Sequence, residues 1–204
     1  MTVQRPRLSF WFDFASTYSY LTAMRIETVA RDRGLDLDWR PFLLGPIFSR
    51  QGWTTSPFNV FPAKGRYMWR EMERLTEEAG LPLVQPDPFP QNGLIAARIA
   101  HANRKAEWAG AFIRAVFMAE FGEGRDISDP GLIADLLLDI GADAKAVLAA
   151  ADSIEVKIGL RAAVAEAETL GIFGAPSFVT EDGELYWGND RLEDAVEWAL
   201  RIVT

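Results

Sequence analysis

LSFWFDFASTYSYLTAMRIETVARDRGLDLDWRPFLL, residues 8–44, decides the fold. Leu8 to Phe14 is a short aromatic and apolar run, the pattern of a buried strand. From Ser16 to Arg33 the spacing of Leu21, Met24 and Val29 predicts a helix with one face on a core, and Gly34 suits its left-handed C-terminal stop. Leu35 to Leu44 then alternates: Leu37 and Trp39 share one side, Asp36, Asp38 and Arg40 the other. Strand, helix and strand in this order form a βαβ unit, which is normally right-handed with parallel strands.

Beyond this unit the chain changes character. No strand pattern is legible from about residue 46 to 150. The proline-rich stretch TTSPFNVFP reads as a loop leading to a helix that starts near Pro62 and ends at Gly80. Helices are expected near 91–104 and 106–121, and Asp129-Pro130 opens another with aspartate as cap and proline at the first helical position. Residues 153–170 read as a helix closed by Gly171. Strands near 177–181 and 184–187 flank Asp182-Gly183, a strong hairpin signal. A last helix is expected from Asp190 to Val203, with Asp190 and Glu193 in a capping-box-like pattern. The order predicts an α/β chain: residues 1–45 and 151–204 build the sheet domain, and 46–150 form an all-helical insertion.

Composition narrows the chemistry. A net charge of −8 argues against nucleic acid, whose phosphates need a basic surface. The absence of cysteine excludes disulfides, thiolate metal sites and cysteine nucleophiles. The single histidine, His101, reads as a structural residue of a helix, so metal ligation by histidine clusters has no material. No run of about 18 apolar residues offers a membrane span. The N-terminal MTVQRPRLSFWF lacks a signal peptide's apolar stretch and cleavage site, so cytoplasmic residence is the expectation.

Three places could carry chemistry. Ser16 lies where the first strand feeds the first helix. Its hydroxyl could donate to an anion such as a thiolate, or simply cap the helix. Gly174-Ala175-Pro176-Ser177 enters the hairpin. A cis Ala175–Pro176 bond would leave backbone groups free for a peptide-like ligand, whereas an ordinary trans proline would do nothing of the kind. Asn189 and Asp190 open the last helix. They could hold a ligand's carboxylate and ammonium, or serve as capping residues only.

Five motifs in order turn these separate readings into one. They are F-D-F-A-S-x-Y-S-Y-L from Phe12, P-A-K-G-R-Y-M-W-R at 62–70, F-P-Q-N at 89–92, G-I-F-G-A-P-S-F at 171–178 and W-G-N-D-R-L at 187–192. Together they resemble the 2-hydroxychromene-2-carboxylate isomerases, relatives of the kappa-class glutathione transferases in the DsbA-like branch of the thioredoxin superfamily. The resemblance covers nearly the whole chain. It implies a thioredoxin-like fold with an all-helical insertion and glutathione as cofactor. It also implies a small aromatic oxoacid as substrate and a homodimer.

Residue by residue, the resemblance makes Ser16 the catalytic serine that stabilises the cofactor thiolate, and Pro176 the cis-proline. Ala175 would bond the glutathione backbone, and Asn189 and Asp190 would lie near its γ-glutamyl end. Asn59 and Lys64 would border the site. Thr17 departs from the family's usual proline after the serine, which leaves the substrate more open. A glutathione transferase and a non-catalytic binding protein remain alternatives. A dithiol oxidoreductase does not, because Ser16 and Ser19 stand where a C-x-x-C pair would be.

Overall fold

Strand β1 (Arg7–Phe12) is covered on both faces. In the computed structural model, which describes residues 5–202, Leu8, Phe10 and Phe12 turn to one side and Trp11 to the other, with the period of two that a pleated strand imposes. Phe10 meets Trp39 and Phe178, while Trp11 packs with Phe42, Ile47 and Val164. Each of these β1 rings is almost fully buried, a contribution of roughly 1.5–3 kcal/mol per side chain. Burial on two sides is why the run is apolar almost throughout.

The chain leaves β1 through Asp13–Ser16 into α1 (Thr17–Ala23) and α2 (Ile26–Arg33), turns at Gly34 with φ 70°, and returns as β2 (Asp36–Pro41). β2 runs parallel to β1, with Phe10 opposite Trp39. The single helix expected over 16–33 is therefore two. The break falls at Met24–Arg25, where the Arg25 guanidinium reaches out to the Asn189 carbonyl at 2.7 Å and to the Glu193 carboxylate.

From Leu44 to Thr169 the described elements are all helical. They are α3 (Leu44–Arg50), α4 (Pro57–Val60), α5 (Pro62–Ala79), α6 (Leu94–Ala102), α7 (Ala109–Phe117), α8 (Pro130–Asp139), α9 (Ala144–Ala151) and α10 (Ile154–Thr169). A π turn, Met118–Gly122, prolongs α7. The stretch expected as a loop before Pro62 contains α4, because the Ser56 hydroxyl accepts from the Phe58 amide and Pro57 takes the first helical position. Asp129 and Ser153 cap α8 and α10 in the same way.

Strands β3 (Ser177–Thr180) and β4 (Leu185–Trp187) complete a sheet of order β2-β1-β3-β4, with β3 antiparallel to both neighbours. A 3₁₀ turn (Asn189–Arg191) leads to α11 (Leu192–Arg201). The capping box expected at Asp190 and Glu193 does not form. Asp190 pairs with Arg191 at 3.1 Å and Glu193 is taken by Arg25, so α11 begins without a side-chain cap. Val203, the expected end of this helix, lies outside the described residues.

The helices between β2 and β3 are inserted in chain order but not apart in packing. Phe10 and Phe12 share one core with Phe112 and Phe117 of α7, Ile133 of α8 and Val196 of α11. Gly65 shows how closely α4 lies on α5: a β-carbon there would stand 2.3 Å from the Phe58 carbonyl oxygen. Gly65→Ala is expected to push α4 outward and cost about 1–3 kcal/mol. An unchanged denaturation midpoint in that variant would contradict so close an approach.

Candidate active site

The C-terminal end of β1 places Asp13 as a clamp. Its two oxygens accept the amides of Ala15 at 3.0 Å and Leu44 at 2.7 Å, tying the turn after β1 to the turn after β2. Burial raises the Asp13 pKa, and the two amide bonds oppose that rise. The turn so fixed delivers Ser16 to the start of α1. The Ser16 hydroxyl accepts from the Ser19 amide at 3.2 Å and donates to the Ala175 carbonyl at 2.9 Å. Ser16 is thus a helix cap and also a bridge to the hairpin entry. Thr17, which follows it, is buried and donates to the Met68 sulfur at 3.3 Å, so it fastens α1 to α5.

The Ala175–Pro176 peptide is cis. The Ala175 carbonyl, expected to be open to a ligand, is occupied by Ser16, whereas its amide has no acceptor among the described residues. The Pro176 carbonyl accepts from the Gly188 amide at 3.0 Å, which brings the start of the 3₁₀ turn alongside. Asn189 is held from behind: its side-chain oxygen accepts from Thr22 at 3.0 Å and Arg25 at 3.3 Å. Asp190 is largely exposed.

These elements surround one cleft of about 1530 Å³. A pocket for one small molecule is usually roughly 300–1,000 Å³, so the cleft exceeds what one such ligand needs. Ser16, Lys64, Ala175, Pro176, Asn189 and Asp190 all line it. Asn59 does not. Its amide bonds the Thr55 hydroxyl at 3.1 Å and the Phe89 carbonyl at 2.8 Å, bracing the wall from outside. Lys64 has no ion-pair partner among the described residues, and its ammonium lies 4.7 Å from the centre of the Phe61 ring.

Aromatic side chains form much of the remaining surface. Phe173 and Trp187 meet edge to face at 4.8 Å, and at the outer rim Trp53 lies tilted against Phe48, with Phe61 behind it meeting its ring edge-on. His101 is remote from the cleft, its ring against Gly159 of α10, and burial lowers its pKa. Among the described residues no group of acids and histidines could hold a metal, and no helix is long and apolar enough to cross a membrane.

Residues 7–198 match the DSBA-like thioredoxin domain family. A 2-hydroxychromene-2-carboxylate isomerase of Sphingobium xenophagum is 31% identical over 188 residues, which is 91% of this chain and 94% of the relative. The chain belongs to the 2-hydroxychromene-2-carboxylate isomerase family. A solved isomerase of that name has a TM-score of 0.85 at 26% identity, over 96% of this chain and 95% of its own. A kappa glutathione transferase of Caenorhabditis elegans is 30% identical over 87 residues, 41% of this chain and 37% of its length.

In this member of the isomerase family the cleft also holds motif residues to which the sequence reading gave no role, together with Glu71, which lies outside the motifs. Tyr18 of α1 and Tyr67 of α5 both donate to the Glu71 carboxylate of α5. Tyr18 and Tyr67 stand within the motifs at 12–21 and 62–70, and Tyr67 and Glu71 stand four apart on one helix face, which is the sequence's only pointer to Glu71. Gln91 is nearly buried in the cleft wall, with its oxygen on the Ile127 amide at 2.9 Å.

Proposed function

We propose that the protein is a cytoplasmic glutathione-dependent isomerase. Its substrate would be 2-hydroxychromene-2-carboxylate or a related oxoacid from aromatic degradation. The observation that carries this reading is the convergence of Ser16, the cis Ala175–Pro176 peptide and the Asn189–Asp190 turn on one cleft large enough for a tripeptide beside an aromatic acid. Family membership supports the isomerase chemistry. The likeness to a kappa glutathione transferase supports the cofactor.

The residues present fit glutathione. The unpartnered Ala175 amide suits a peptide carbonyl, the exposed Asp190 carboxylate suits an ammonium, and the Ser16 hydroxyl suits a thiolate. When bound, the cofactor supplies a thiolate that adds reversibly to an unsaturated carbon, so that the former double bond rotates before the thiolate leaves. Ser16 donates to that sulfur once its proton turns from the Ala175 carbonyl, and it need not itself be a nucleophile. Phe173, Trp187, Phe48 and Trp53 line the cleft and offer apolar ring surface to an aromatic substrate.

Calorimetry with reduced glutathione, beside an assay of isomer formation, tests the reading. Asp190→Ala is expected to weaken binding by about tenfold, the low end for a hydrogen bond to a charged group because Asp190 is exposed. Unchanged affinity in a folded variant removes Asp190 from the γ-glutamyl end. Accumulation of a stable conjugate in place of an isomer would favour a transferase.

A further inference from the structure

Tyr18, Tyr67 and Glu71 line the cleft on the side built by α1 and α5. The Tyr18 hydroxyl donates to Glu71 Oε2 and the Tyr67 hydroxyl to Oε1, at 3.2 Å for the latter. The Tyr18 ring is set against Phe58, with centroids 6.4 Å apart. Glu71 has no cationic partner among the described residues; its charge is met by the two phenols.

A phenol has one proton to give, and a carboxylate has none. Both tyrosine protons are committed to Glu71, so each phenolic oxygen has only lone pairs left to offer. Burial, and then the neighbouring carboxylate, push the Tyr18 hydroxyl above its ordinary range, so it stays protonated and its donor direction stays fixed. Asp190 adds to the negative field at Tyr18. At Tyr18 this side of the cleft therefore accepts hydrogen bonds, while Lys64, one turn before Tyr67 on α5, carries the cation of the same wall.

We propose that Tyr18, oriented by Glu71, is a specificity-determining acceptor for a substrate hydroxyl: it takes a hydrogen bond from the aryl hydroxyl of an aromatic oxoacid and so fixes how the ring lies in the cleft. The proposal rests on the substrate class given above and adds an orientation to it. Tyr18 is the acceptor, and Glu71 is a positioning residue that acts through it.

The test compares two probes that differ by one group, o-hydroxybenzylidenepyruvate and benzylidenepyruvate. Both are titrated against the protein without glutathione, by quenching of tryptophan fluorescence, since Trp53 and Trp187 line the cleft. The native chain is expected to prefer the hydroxylated probe about tenfold, the equivalent of about 1.4 kcal/mol. Tyr18→Phe should abolish that preference while leaving benzylidenepyruvate within about twofold of its native affinity. Glu71→Gln should reduce the preference with Tyr18 intact, because its amide offers donors where the native residue offers none, and it carries the comparison if Tyr18→Phe does not fold.

Equal binding of the two probes by the native chain overturns the proposal, as does an equal loss for both in Tyr18→Phe. Glutathione-dependent turnover measured in parallel keeps the two readings separate. Turnover without discrimination removes the acceptor site alone. Discrimination without turnover leaves the acceptor site standing and removes the isomerase.

Discussion

Ser16→Ala is expected to raise the pKa of a glutathione thiol held in the cleft by about one to two units. A hydrogen bond to a charged group contributes roughly 1.5–3 kcal/mol, and a pKa unit corresponds to about 1.36 kcal/mol. At neutral pH the thiolate then falls, by at most about ten- to a hundredfold, and turnover with it, while glutathione affinity changes less. Raising the pH recovers part of the loss, since it restores the thiolate without restoring the bond.

The same substitution removes a cap. Ser16 accepts the Ser19 amide and bridges to Ala175, so a stability loss of about 0.5–2 kcal/mol accompanies the catalytic effect. Ultraviolet titration of the bound thiolate, run beside thermal melts, separates the two. A lowered melting temperature with an unshifted thiol would leave Ser16 as a structural residue only.

Glu120→Gln is expected to make the protein more stable, and increasingly so as the pH rises. Glu120 lies in the π turn after α7 with no exposed surface, and neither of its oxygens has a hydrogen-bond partner among the described residues. Burial raises its pKa well above the ordinary 4.5, and the nearby charges of Asp13 and Asp126 raise it further. Below pH 4.5 folded and unfolded chains both keep the proton, and its contribution to stability is fully present. Above it the unfolded chain releases the proton and the folded chain does not. Stability then falls by about 1.4 kcal/mol per pH unit until the folded carboxyl ionises as well. Glutamine has the same shape and no proton to lose, so it removes this slope. Chemical denaturation across pH 4–8 should show the two proteins diverging as pH rises. Parallel curves would mean that Glu120 has a partner in solution.

The βαβ unit was legible because each part follows a local rule: an apolar run for β1, the Leu37/Trp39 alternation for β2 and glycine at the stop between them. The break at Met24–Arg25 was not, because no glycine or proline marks it. It belongs to the long-range bonds from Arg25 to Asn189 and Glu193. The same bonds undo the capping box, since a side chain engaged by an arginine elsewhere cannot also reach its own helix start.

In the cleft, ordered motifs pointed to six residues that do line it. Asn59 sits in the same segment as Lys64, and the sequence carries no sign of which of the two faces the cleft. The bond from Tyr18 to Glu71 spans 53 positions of chain and two helices, and no periodicity encodes it. Glu120 reads as one polar residue in an apolar stretch. Its isolation is a property of the packed core alone.

The aromatic rim is a part of the cleft that can vary by itself. Phe48, Trp53 and Phe61 lean on one another at 5.6 and 6.4 Å, outside the two cores that hold the sheet and helices together. Ser16 and the cis-peptide, by contrast, are anchored to the sheet. Substitutions among these three rings are therefore expected to reshape the mouth of the cleft while Ser16 and the cis-peptide keep their places on the sheet.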